Sequence, residues 1–142
     1  MPYFTSDEDV ARIGRGLQDR TLPKSEWTHA GHFAAAFWLL RARGAAALHE
    51  MPALIRAYNQ ATGVANTDTS GYHETITVAS LRAARAWLAE RQHTALHVAL
   101  NELLDAQFGR STWLLEYWSA ELLFSALARR VWVEPDRKAF PF

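Results

Sequence analysis

The chain has 142 residues, 49% apolar and 12% aromatic, and its 15 Lys plus Arg balance its 15 Asp plus Glu. That size and composition fit one domain with a sizeable core and exclude a disordered chain. A net charge of zero argues against nucleic acid and anionic membranes as partners and leaves a homodimer open, while the lack of cysteine excludes disulfides, thiolate metal sites and cysteine nucleophiles.

Ala is abundant and Gly and Pro are few, which favours helix throughout. Thr5 and Glu8 fit a capping box opening a first helix, with Val10, Ile13 and Leu17 on one face. After the connection RTLPKSE, Ser25 is a good N-cap for a second helix over 26–43, ended near Gly44. A third helix carries Leu48, Met51, Leu54, Ile55 and Tyr58 and ends at Gly63; Pro52 kinks it or marks its start. The polar run GVANTDTSG, residues 63–71, is the main internal loop. Thr69 or Ser70 then caps a fourth helix over 71–90.

A fifth helix carries Leu96, Leu100, Leu103, Leu104 and Phe108 and stops at Gly109. Ser111 and Ser119 can each cap a further short helix, TWLLEYW and AELLFSALARR. The tail VWVEPDRKAFPF reads as an extended strap. No strand is required, so the expected fold is all-α: a single helical domain, 1–142, built as a bundle of about five main helices plus short C-terminal ones. The acidic start MPYFTSDEDV has no signal-peptide character. The apolar run FAAAFWLL falls far short of the ~20 residues of a membrane span. The expectation is a soluble, cytoplasmic protein.

The chemistry-bearing residues concentrate in two stretches. In EWTHAGH, His29 and His32 begin an apolar stripe with Phe33, Ala36, Phe37 and Leu40, three residues apart and able to share one ion. The positive end of the helix dipole keeps such rings neutral, the form that binds a metal or acts as a base. Glu26 is then a ligand, a second acceptor or a plain helix-start acid. In GYHETIT, His73 shares a helical face with Thr77 and Ser80, and Glu74 shares one with Val78, Leu81 and Leu88. A Glu there is costly unless paired.

If the second and fourth helices start at the same end, His29, His32 and His73 converge with Glu74 or Glu26 into a mixed nitrogen and oxygen site. Such a site suits zinc, iron, nickel, copper or manganese. Two rivals are weaker: His93 with His97, and a di-iron set built on EWTH and ERQH with Glu74, Glu102 or Glu121. His49 reads as surface. Tyr58, Asn59, Tyr117 and Arg129 are further candidate lining groups, and Glu134 and Asp136 read as pins for the tail.

Taken together, EWTHAGH, YNQATGVANTDTSGYHETIT, YWSAELLFSALAR and WVEPD resemble a family of small, uncharacterised all-helical bacterial proteins of about this length. The resemblance spans most of the chain. It implies one shared fold and a shared polar centre of His29, His32, Tyr72, His73 and Glu74, and it implies no reaction. A looser likeness to metal-binding helical bundles of the DinB type differs in the order and spacing of the histidines.

Two functional readings stand. The first is a metal-dependent hydrolase or oxygenase acting on a small polar molecule. His29, His32 and His73 would hold the metal, Glu74 would be a fourth ligand or general base, and Tyr72 would orient substrate at the catalytic centre. Asn66, Thr67, Thr69 and Tyr58 would then bind substrate. The second is a metal-free binding or protein-interaction module. There the same His/Glu cluster is a structural hydrogen-bond network, and exposed aromatics near 113–118 and 132–142 meet a partner.

Overall fold

The first helix, α1, runs Asp7–Asp19 and its N-cap is Ser6 rather than Thr5. The Ser6 hydroxyl accepts from Asp9 N at 3.2 Å, while Thr5 N and Oγ1 both donate to Asp9 Oδ2 at 3.1 and 2.7 Å. The N-cap is therefore Ser6, one residue later than the pattern suggested, while the Asp9 carboxylate reaches back to Thr5 and Glu8 instead pairs with Arg15. This is the start of a computed structural model that describes residues 3–142.

The second helix, α2, spans His29–Arg43, later than the expected 26–43. Lys24–Glu26 form a single 3-10 turn, and Thr28 is the N-cap, accepting from Gly31 N at 3.1 Å. Arg12 of α1 holds that turn through both oxygens of Glu26, at 3.1 and 2.6 Å. Gly31 is required where it stands: a Cβ there would meet the Glu26 carbonyl at 2.4 Å. α2 is not a one-sided amphipathic helix. Ala34, Ala35 and Leu39 are buried as well as Phe33, Ala36, Phe37 and Leu40, because α2 packs against α1 and against the three helices that follow it.

Those are α3 (Ala47–Ala61), α4 (Glu74–Ala89) and α5 (Leu96–Asp105). Pro52 sits inside α3 and does not start it. α4 begins at Glu74 with His73 as its N-cap, not at 71 with Thr69 or Ser70. Trp113–Glu116 form only a 3-10 turn, and the expected helix from Ser119 splits into α6 (Ala120–Leu123) and α7 (Ala126–Arg130), capped by Ser119 and Ser125. Among the described residues there is no strand, and no helix is long and apolar enough to cross a membrane. The all-α reading holds.

Residues 131–142 form a strap without helix. Thr75 of α4 anchors it, donating to the Val131 carbonyl at 2.8 Å and accepting from Val133 N at 3.2 Å. Trp118 Nε1 donates to the Val133 carbonyl at 3.0 Å, and Asp136 accepts from Ser119 N and Oγ at 2.7 Å each. The aromatics expected at the surface near 113–118 are instead core: Trp113, Tyr117 and Trp118 are all buried. Their rings continue through Phe140 to Trp132 and Phe142, so the strap's aromatics are consumed by the chain's own packing.

Candidate functional site

α2 and α4 start at the same end of the molecule, and two adjoining cavities lie between them. The larger, ≈ 380 Å³, has His29, His32 and Phe33 of α2 on one wall and Ile76, Thr77 and Ser80 of α4 on another. Met51 and Ile55 of α3 close it below, and Trp113, Leu123 and Phe124 close it toward the C-terminal elements. The smaller, ≈ 320 Å³, is lined by Tyr58, Asn59, Tyr72 and His73. Trp27, His32, Ile55, Ile76 and Thr77 belong to both walls.

The three histidines share one device and differ in what it leaves over. His73 Nδ1 accepts from Ile76 N at 3.2 Å, which makes it the N-cap of α4. Its Nε2 lies 2.7 Å from the Leu123 carbonyl, the orphan acceptor at the end of α6. A carbonyl only accepts, so Nε2 carries the proton and both nitrogens are spent. His29 Nε2 lies 2.7 Å from the Phe108 carbonyl, so it too is the protonated nitrogen. His32 Nδ1 lies 2.7 Å from the Thr28 carbonyl, which also takes the helical His32 N–H at 2.9 Å. Thus, among the described residues, neither His29 Nδ1 nor His32 Nε2 has a protein partner.

Electrostatics keep two of these rings neutral. Desolvation by the crowded protein pushes His32 down to about 4; the Thr28 bond opposes this and His29 reinforces it. The residue is nonetheless exposed, its ring forming part of the cavity wall. At pH 7 the imidazole is neutral in either case. It stacks on Trp27 with centroids 3.7 Å apart. Burial also lowers His73; the Leu123 bond opposes that and the charge of Arg129 adds to it.

The other predicted residues form supports around the cavities. Tyr72 donates to Glu74 Oε1 at 2.6 Å, and Arg56 lies 4.1 Å over the Tyr72 ring. Burial first, and then Glu74, raise the Tyr72 pKa, so the phenol stays protonated. Glu74 lines neither cavity. Asn66 Oδ1 accepts from Asn59 Nδ2 at 2.9 Å and from Tyr72 N at 3.0 Å, knotting the loop to α3 and to the entry of α4. Thr67 N bonds the Ser70 carbonyl at 2.9 Å, and Thr69 N donates to Thr67 Oγ1 at 3.3 Å. Tyr58 Oη donates to the Leu22 carbonyl at 2.7 Å. Glu26 is committed to Arg12, and His97 to Asp7 at 2.6 Å.

Among the described residues no three His, Asp or Glu side chains group as a metal site. A metal on His73 would have to displace either the cap of α4 or the bond to Leu123. The cavity walls also include residues without a sequence signal of their own. Trp27, Ser111, Thr112 and Phe124 reach the site from turns and helix ends. Thr77 and Ser80 were visible through their helical spacing from His73. Comparison of the chain with family models, curated proteins and solved structures finds no match.

Proposed function

We propose that this protein binds a small, uncharged, largely apolar molecule in the cavity between α2 and α4, without a metal. The carrying observation is an apolar cavity of ≈ 380 Å³ lined by two histidines and by no Lys, Arg, Asp or Glu. That volume lies at the small end of the range for ligand pockets, and few fixed polar groups on an apolar wall is their usual make-up. Phe33, Trp113 and Phe124 supply faces and edges for a flat ring.

The metal-dependent reading asks more of these residues. His73 would have to surrender a helix cap or its bond to the Leu123 carbonyl, and the third ligand would have to come from elsewhere than Glu26, which is paired with Arg12. The same His73 bonds support the metal-free reading, in which that histidine ties α4 to α6.

Titration with 1-aminoanthracene, a neutral fluorescent three-ring amine, tests the proposal. Saturable, blue-shifted emission at one equivalent per chain is expected, with elemental analysis finding no stoichiometric transition metal. Emission that rises linearly without saturation overturns the binding site. A stoichiometric metal lost in His29→Ala and His73→Ala moves the function to the metal-dependent reading.

A further inference from the structure

We infer that the cavity selects ligands carrying a hydrogen-bond donor, an O–H or N–H on an apolar ring system, and discriminates against carboxylates and against rings with no donor. This inference rests on the binding role proposed for the same cavity.

Two carbonyls fix the chemistry. The Phe108 carbonyl takes a hydrogen bond from His29 Nε2 and the Thr28 carbonyl takes one from His32 Nδ1, each at 2.7 Å. Each bond pins its imidazole to one tautomer, because the nitrogen facing a carbonyl must hold the proton. The opposite nitrogen, His29 Nδ1 or His32 Nε2, is then a lone pair. Among the described residues no half-buried or buried side chain leaves a fully enclosed nitrogen or oxygen without a partner. His29 is half-buried and its Nδ1 has no protein partner, so that nitrogen has accessible surface. His32 is exposed and is part of the cavity wall.

The cavity therefore carries an acceptor at His32 Nε2 and, on the neutral ring, a second at His29 Nδ1. The hydroxyls of Thr77 and Ser80 rotate to suit either partner and set no preference. A donor on the ligand satisfies an imidazole lone pair that an apolar ring would bury unpaired, and leaving such a group unpaired carries a desolvation penalty. A carboxylate brings only further lone pairs. Rescuing it requires a protonated histidine or a neighbouring cation, and the lining residues include no Lys or Arg. At the starts of α2 and α4, where N–H groups could serve an anion, Gly31 N is already taken by Thr28 Oγ1 and Ile76 N by His73 Nδ1.

Three ligands of one shape separate these cases: 2-naphthol, 2-fluoronaphthalene and 2-naphthoate, each competed against bound 1-aminoanthracene at pH 7. The expected order places 2-naphthol about tenfold tighter than the fluoro compound, the worth of roughly one hydrogen bond, with the naphthoate weakest. In His32→Phe, which retains a ring to stack on Trp27, and in His29→Phe, the naphthol advantage shrinks. Equal affinity for naphthol and fluoronaphthalene, or preference for the naphthoate, overturns the inference while leaving the cavity a binding site. Failure of all three to displace bound 1-aminoanthracene likewise overturns the inference, and failure of 1-aminoanthracene itself to bind removes the binding role as well. Should either variant fail to fold, as read by circular dichroism, the three-ligand series on the parent chain decides alone.

Discussion

His73 occupies a position that usually belongs to Ser, Thr, Asp or Asn, and it does their work with a ring nitrogen. The ring reaches further than those side chains, so it also closes the end of α6 through Leu123. Losing both bonds in His73→Ala should cost about 1–3 kcal/mol in urea unfolding, while His73→Asn, which keeps the cap alone, should cost less. The two depressed histidines also fix the sign of a pH effect. In the folded chain His32 and His73 hold their protons less tightly than the ordinary value near 6.5, so the unfolded chain binds more protons below that pH. Stability should be level above pH 7 and fall as the pH drops from about 6.5 toward the lowered folded values. His73→Asn should show a shallower fall between pH 6.5 and 5, where carboxylates contribute little. A parent whose unfolding midpoint stays flat across that window would contradict the neutral description of both rings.

The helices owe their ends to such local bonds, and the loop 63–73 shows how much one side chain can fix. Asn66 accepts from Asn59 and Tyr72 and donates to the Arg56 carbonyl at 3.2 Å, so one amide joins α3 to the entry of α4. Gly71 closes against it: its φ is +77°, and a Cβ would lie 2.5 Å from the Ala65 carbonyl and 2.6 Å from Asn66 Oδ1. Gly71→Ala combines a left-handed backbone with two polar collisions and should lower stability by at least about 1 kcal/mol. Measured midpoints equal to the parent would show that the loop simply shifts aside. The helices themselves were legible in the sequence, because their apolar spacing and the glycines at 44 and 63 mark bodies and ends. Their starts were less so. Serines at 25 and 70 looked like caps, but the chain uses Thr28 and His73, and a histidine cap has no ordinary signature. The wrap of neighbours around α2 was equally hidden, since Ala34 and Ala35 look neutral until four helices bury them.

Across the whole molecule, a continuous aromatic chain runs from Phe33 through Trp113, Tyr117 and Phe140 to Trp132, and the cavity stands at its edge with Trp113 as the shared wall. A sequence shows which rings are present but not where their packing stops, which is why the histidine pair was legible and the apolar cavity around it was not. His73 was placed near His32 by the shared end of α2 and α4, yet its two bonds depend on the end of α6 at Leu123, a contact 50 residues away. Interiors are normally packed to crystal-like density, and an unfilled cavity forfeits stabilising contacts. A void retained for binding therefore predicts a trade. Ser80 lines the cavity from the middle of α4. Ser80→Leu places an apolar side chain in the void and a stronger helix former in α4, so it should raise stability by about 1 kcal/mol. The same substitution should abolish binding of 1-aminoanthracene. A variant that is stabilised and still binds the probe with parental affinity would put the ligand elsewhere. One that loses both stability and binding would mean that the cavity walls are too rigid to accept the side chain, and the narrower Ser80→Val should then recover the stability and still block the probe.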